Sequence, residues 1–222
     1  MKKIKFLFPC LIGISGFFTL LFLGDWQLKR LEWKLDKIYN IEQKINSLPI
    51  DIPERPRKDE HQYLSVKIKG EILKDELHVL TSIKQMGPGF KIISPFVLEN
   101  GKKILIDQGF ILEKEKDNIR KIGFGTINGN LLWPNEVEYF TPKPNFEENI
   151  WFARDLEMMS EELGTSKILV IVSDIGLNKN VIPTPISTNL RNNHLQYAIT
   201  WFSLSLVWIG MTLYWIFKLY KK

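Results

Sequence analysis

Two stretches without a charged residue, Phe6 to Gly24 and Leu195 to Phe217, lie at opposite ends of the chain. Each is long enough to cross a hydrocarbon core of roughly 30 Å as a helix. The sequence between them is charged. The expected architecture is a membrane protein, with two transmembrane helices flanking an extramembrane domain. A cleaved signal peptide competes for the first stretch, because Lys2, Lys3 and Lys5 would suit its basic start. Three features oppose it: the apolar run exceeds the ~7–15 residues of a signal core, "LGDWQLKR" offers no small-x-small cleavage site, and Trp26 stands where interface anchors stand. An Arg- and Ser-rich amphipathic presequence is not visible, which favours a bacterial plasma (inner) membrane over the mitochondrial inner membrane.

Two spans put both termini on one side. Lys2, Lys3 and Lys5 at one end and Lys218, Lys221 and Lys222 at the other place those tails in the cytoplasm. Lys29, Arg30, Lys34 and Lys37 after the first span blur that signal. The central domain is then periplasmic. Cys10 is the only cysteine and lies inside the first span, so that domain has neither a disulfide nor a thiolate metal site. The net charge of +5 is spread among many Glu residues, which fits solvent and lipid headgroups rather than nucleic acid.

Helical spacing continues past the first span. Leu28, Leu31, Leu35, Ile38, Ile41 and Ile45 form one apolar stripe, so the helix is predicted to run to about Asn46, where "LPIDIPERPRKDEH" breaks it. From Gln62 the period becomes two. Strands are predicted in "YLSVKIKG" (with "EIL" prolonging it), "ELHVLTSI", "FKIISPFVL", "KILIDQGFIL", "TINGNLLW" from near Gly125, and the apolar, central "KILVIVSD". "KQMGPG" and "ENGK" read as turns, and Pro95 as an edge or bulge. Asp155 is the expected cap of a helix from Leu156 to Leu163 that Gly164 ends. These elements compose an α+β domain with a mainly antiparallel sheet or partial barrel. The segments are residues 1–24 (first transmembrane helix and cytoplasmic tail), 25–48 (helical extension), 49–190 (periplasmic α+β domain) and 191–222 (second transmembrane helix and tail).

No G-x-S-x-G, H-E-x-x-H or phosphate loop is present, and "GFGTING" precedes a strand rather than a helix. His61 and His78 read as surface or edge residues. Nothing argues for an enzyme. The two membrane junctions carry the remaining chemistry. In "GDWQLKRLEWK", Trp26, Arg30 and Trp33 share a helical face; they are interface anchors, or Arg30 grips an acidic group with its planar fork. In "RNNHLQYAITWF", Asn192 or Asn193 can cap the second span, which leaves His194 in the first turn. A helix N-terminus disfavours a cationic ring, and neutral imidazole is the metal-binding form. Tyr197, Ala198, Trp201, Ser205 and Trp208 share the face of His194. That face suits a flat apolar macrocycle such as haem, or it is an interfacial histidine above aromatic anchors. Spacing alone favours the second reading. Cys10 and Met211 lie too deep to supply a second axial ligand.

The same residues resemble the Surfeit locus protein one (Surf/Shy) family of cytochrome c oxidase assembly factors. "GDWQLKRLEWK" looks like its G-x-W-Q-x-x-R-x-x-W-K entry motif, and "YLSVKIKGE" like its Y-x-x-V-x-x-x-G strand. "SPFVLENGKKILIDQGFI" resembles its central hairpin. "NIWFARDLEMM" is similar to its N-x-W-x-x-R-D-L-E-x-M stretch, and "RNNHLQYAITWF" to its closing motif. The blocks follow family order across nearly the whole chain. The resemblance implies a non-enzymatic respiratory complex IV assembly factor that binds haem a as a chaperone and assists its insertion into the catalytic subunit. His194 matches the family's candidate iron ligand. On that reading Tyr197 and Trp201 line the ring, and Arg30 and Arg191 pair with its propionates. The implied partners are the cytochrome c oxidase catalytic subunit, the haem a synthesis machinery and the lipid bilayer. The rival expectation is a haem-free membrane scaffold that stabilises oxidase assembly intermediates. One departure stands out: "DQG" at Asp107, Gln108 and Gly109 replaces a basic turn of the family, for which Arg30, Arg191 or Arg154 could substitute.

Overall fold

A single helix, α1 (Ile4–Ile45), carries the first apolar stretch and continues beyond it without a break. The computed structural model describes residues 4–84, 86–120, 122–173, 178, 180–188 and 192–221, with backbone alone at 4–6. In chain order the remaining elements are β1 (Ile50–Asp51), α2 (Lys58–His61), β2 (Ser65–Ile72), β3 (Leu77–Ile83) and β4 (Gly87–Leu98). β5 (Lys103–Leu112), a 3-10 turn of helix (Glu113–Glu115), β6 (Gly123–Leu132), β7 (Ile150–Trp151), α3 (Leu156–Glu162), β8 (Leu169–Val172) and α4 (His194–Tyr220) complete the set among the described residues. Two compact units result, one of Met1–Asn40 with Thr188–Lys222 and one of Ile41–Ser187.

The helical unit pairs α1 with α4, and both are long and apolar enough to cross a membrane. Their apolar side chains are turned outward rather than into a core: Phe22 is 68% and Leu206 69% exposed. A lipid solvent tolerates that arrangement and water does not. Small residues allow the helices to approach. A Cβ at Gly16 would come within 2.3 Å of the Trp208 ring, and one at Gly24 within 2.5 Å of Phe202. Such close backbone approach drives helix pairing where no hydrophobic effect operates. The Trp208 indole N–H donates to the Gly13 carbonyl at 3.1 Å. The hydroxyls of Thr19, Thr200, Ser205 and Thr212 donate to carbonyls of their own helices, as an apolar medium demands.

The second unit is built on a closed five-stranded barrel. β2 pairs with β6, β6 with β8, β8 with β5, β5 with β4, and β4 returns to β2. The sheet is mixed, because β5 and β8 run parallel while the other barrel pairs are antiparallel. β3 and β7 extend it beyond β4, and β1 beyond β2. Val170 and Val172 of β8 face one apolar cluster with Val66, Ile68, Phe96, Ile106 and Leu131, whereas Leu169 and Ile171 face a second with Trp151 and Met159. A strand buried on both faces explains the uninterrupted apolar run in its sequence.

Several local expectations change. β2 begins at Ser65 rather than at Tyr63, because Tyr63 adopts a left-handed φ of 71°. Much of "KQMGPG" belongs to β4, whose ladder with β3 starts at Gly87. Pro95 falls where β4 exchanges β3 for β2 as a neighbour, so its missing N–H interrupts neither ladder. "DQG" is not a turn. It lies inside β5 at a bulge, where Ile92 pairs Gly109 and Ile93 pairs Asp107, leaving Gln108 as the extra residue. Asp155 caps α3 as expected, accepting from the backbone N–H of Glu157 and Met158.

Candidate functional site

His194 opens α4. Asn193 holds the cap position without a side-chain cap bond, while the side-chain Oδ1 of Asn192 accepts the His194 backbone N–H at 3.4 Å. The His194 ring is half-buried, and its Nδ1 lies 2.7 Å from Oε1 of Gln27 on α1. This contact joins residues 167 positions apart. Sequence reading missed Gln27; the available signal was an amide side chain in the entry motif at the edge of an apolar span, where an unpaired polar group is costly.

The expected aromatic wall needs correcting. Ala198 and Ser205, both 1% exposed, lie on the seam with α1, and Trp208 covers Gly16. A ring could not lie flat there without displacing α1. Tyr197 and Trp201 sit up to roughly 60° around α4 from His194, at about 100° per residue, and so form one edge of the seam. Tyr197 is 54% exposed, whereas Trp201 is half-buried with an indole N–H that has no partner among the described residues. Arg30 is exposed one helical turn beyond Gln27, with its guanidinium 4.6 Å from the centre of the Trp33 ring. Arg191 lies outside the described residues. No three His, Cys, Asp or Glu side chains converge on a metal-sized site among the described residues. The chemistry available at this edge is one anchored imidazole and two aromatic rings, with the Arg30 cation one helical turn along α1 from Gln27, stacked on Trp33. That set fits a haem held by a single protein ligand in an open site, and it does not fit an enclosing cleft.

An apolar groove of about 380 Å³ between Pro9, Gly13, Trp208, Met211 and Trp215 lies farther along the helix pair. Trp208 is 14 residues from His194, roughly 21 Å along α4, so this groove does not serve the histidine.

In the barrel unit His78 is 7% exposed, not a surface residue. Its Nε2 meets Glu76 at 2.8 Å, and Arg120 grips the same carboxylate, its Nε 2.8 and 2.7 Å from the two oxygens. Arg154 is committed to Asp107 and Glu136, so it is not a spare cation in place of the family's basic residue. Burial alone would raise the carboxyls of Glu76 and Glu136. Hydrogen bonds and charge from His78 and Arg120 in one case, and chiefly Arg154 in the other, outweigh burial and hold both below the ordinary value of 4.5. A depressed folded-state value stabilises the fold above the ordinary value and ceases to do so as pH falls through it. The melting temperature of the full chain in detergent is therefore expected to drop as pH falls below about 4.5, and Glu136→Gln is expected to flatten part of that drop.

The model of the SURF1 family matches residues 15–206. The SURF1-like protein of Caenorhabditis elegans is 30% identical over 240 residues, covering 90% of this chain and 70% of that protein. Surfeit locus protein 1 of Gallus gallus is 31% identical over 209 residues, covering 82% of this chain and 67% of that protein. The SURF1-like protein of the bacterium Rickettsia bellii is 28% identical over 218 residues, covering 93% and 88%.

Proposed function

The chain belongs to the SURF1 family, which comprises cytochrome oxidase assembly factors rather than enzymes, and we propose that it binds haem a at His194 and assists its insertion into the oxidase catalytic subunit. The observation that carries this reading is the His194 ring itself, half-buried at the start of α4 with one nitrogen held by Gln27. Haem a, when bound, supplies an iron that accepts an imidazole nitrogen and a flat apolar ring. His194 would be the ligand, Tyr197 and Trp201 would cover one side of the ring, and Arg30 and Arg191 would pair with its carboxylates. An open, single-ligand edge suits a carrier that must release its cargo. The partners on this reading are the catalytic subunit and the haem a synthesis machinery. The membrane is a bacterial plasma membrane, with the barrel unit on the periplasmic side.

The test is the optical spectrum of the full chain purified from cells that co-express haem a synthesis. The wild type is expected to retain haem a with an axially ligated Soret band, and His194→Ala to lose it. Unchanged haem content and spectrum in the variant would remove His194 from this role. A second reading, a haem-free scaffold, draws on the exposed aromatics of the barrel unit, Tyr139 at 94% and Phe140 at 88%. Haem-free wild-type protein that still restores oxidase assembly would favour it.

A further inference from the structure

The short contact between α1 and α4 carries more than a packing role. Oε1 of Gln27 is a carbonyl oxygen and can only accept a hydrogen bond. With Oε1, rather than the amide nitrogen, facing the ring at 2.7 Å, the hydrogen bond between them has Nδ1–H of His194 as its donor. A neutral imidazole has one N–H, so Nε2 is left with a lone pair and no proton. Among the described residues Nε2 has no hydrogen-bond partner, and the only side-chain bond of His194 is the one at Nδ1. The two nitrogens stand on opposite flanks of the ring, so anchoring Nδ1 on α1 directs Nε2 away from that helix.

We propose that Gln27 is a positioning residue for His194, locking the ring in the Nδ1–H tautomer and presenting a bare Nε2 to a haem iron. The inference rests on the reading of His194 as the ligand. Free imidazole side chains in water favour the opposite tautomer, Nε2–H, which would place the proton on the ligating nitrogen. A partner on the distal nitrogen corrects this and fixes the ring plane, as it does at other histidine–metal centres. An amide does so without adding a charge at the membrane boundary, where a carboxylate would need a counter-ion. The side chain reaches from one span to the other, so the ligand is fully oriented only when the two helices are paired.

The experiment uses the full chain, labelled with 15N-histidine, in detergent without haem. The chain has three histidines, and the His194 signals are identified by their loss in His194→Ala. The wild type is expected to show a protonated Nδ1 and a bare Nε2. Gln27→Leu should move the ring to the Nε2–H form or a mixture, and Gln27→Glu, which keeps an acceptor, should restore the wild-type pattern. An Nε2–H ring in the wild type, or a pattern unmoved by Gln27→Leu, would overturn the proposal. A parallel titration with ferric protoporphyrin IX reads the consequence: about 10–100-fold weaker binding in Gln27→Leu, recovered in Gln27→Glu. Equal affinity in the leucine variant also counts against it. A wild type that binds no porphyrin iron defeats the ligand reading of His194 instead, while the nitrogen spectra still decide the role of Gln27.

Discussion

Arg154→Met is expected to destabilise the barrel unit by about 3–5 kcal/mol, enough to unfold a marginal domain. Asp107 is wholly buried, and its carboxylate depends on Arg154 at 3.0 Å and Lys91 at 3.5 Å. The rest of the Arg154 fork holds Glu136, through Nε at 3.0 Å and Nη2. Methionine fills similar space but leaves the Asp107 charge without its closer partner. Lysine cannot replace the fork, because one ammonium cannot serve both carboxylates in that geometry. Removing the charge along with its partner changes the sign of the argument. Asp107→Leu combined with Arg154→Met should recover most of the loss, since a well-packed apolar pair often equals a buried ion pair. Denaturant unfolding of the full chain in detergent, followed by near-ultraviolet circular dichroism, measures both. A loss under about 1 kcal/mol for the single variant would mean the network is spectator charge.

The ion pair also marks the limit of what the sequence discloses. Uncharged stretches announced both spans, because a membrane helix needs length and apolarity and nothing from elsewhere in the chain. β5 was legible from end to end, since a hairpin turn fixes its start and an apolar run its body. Asp155 was readable as a cap because capping is settled within one turn. Its neighbour Arg154 was not, since its buried partner lies 47 residues earlier. β1 and β7, with two residues each, are too short to show a period. The bulge at Gln108 inside β5 was hidden, because an extra residue shows only against the register of the facing strand. At the candidate site, His194 stood out through its place in a motif, but Gln27 could not be assigned to it. Only the pairing of the two spans brings that amide to the ring. That same pairing buries Ala198 and Ser205, which helical spacing alone had placed on an open wall.

Barrel closure supplies the other large effect, at Gly70. This residue ends the pattern that begins at Tyr63 and Val66, and it lies where β2 is flanked by β6 on one side and β4 on the other, pairing Gly125 and Leu98. A Cβ here would sit 1.9 Å from the Val97 carbonyl oxygen and 2.9 Å from the Phe96 ring. The first obstacle is backbone, so no rotamer change relieves it. The strand must move, and the moving strand closes the barrel. Gly70→Ala is therefore expected to cost at least about 3 kcal/mol, the upper range for overpacking, and Gly70→Val more. Gly101 provides the contrast. It adopts a φ of 80° in the β4–β5 hairpin, with nothing within 4 Å of its would-be Cβ. Asparagine tolerates that conformation, so Gly101→Asn should change stability by no more than about 1 kcal/mol. Hydrogen exchange of the full chain locates the damage. In Gly70→Ala, protection should fall first along the β2–β4 seam, and the helical unit should keep its own. Uniform loss in both units, or a fully protected seam, would show that closure at Gly70 does not hold the barrel together.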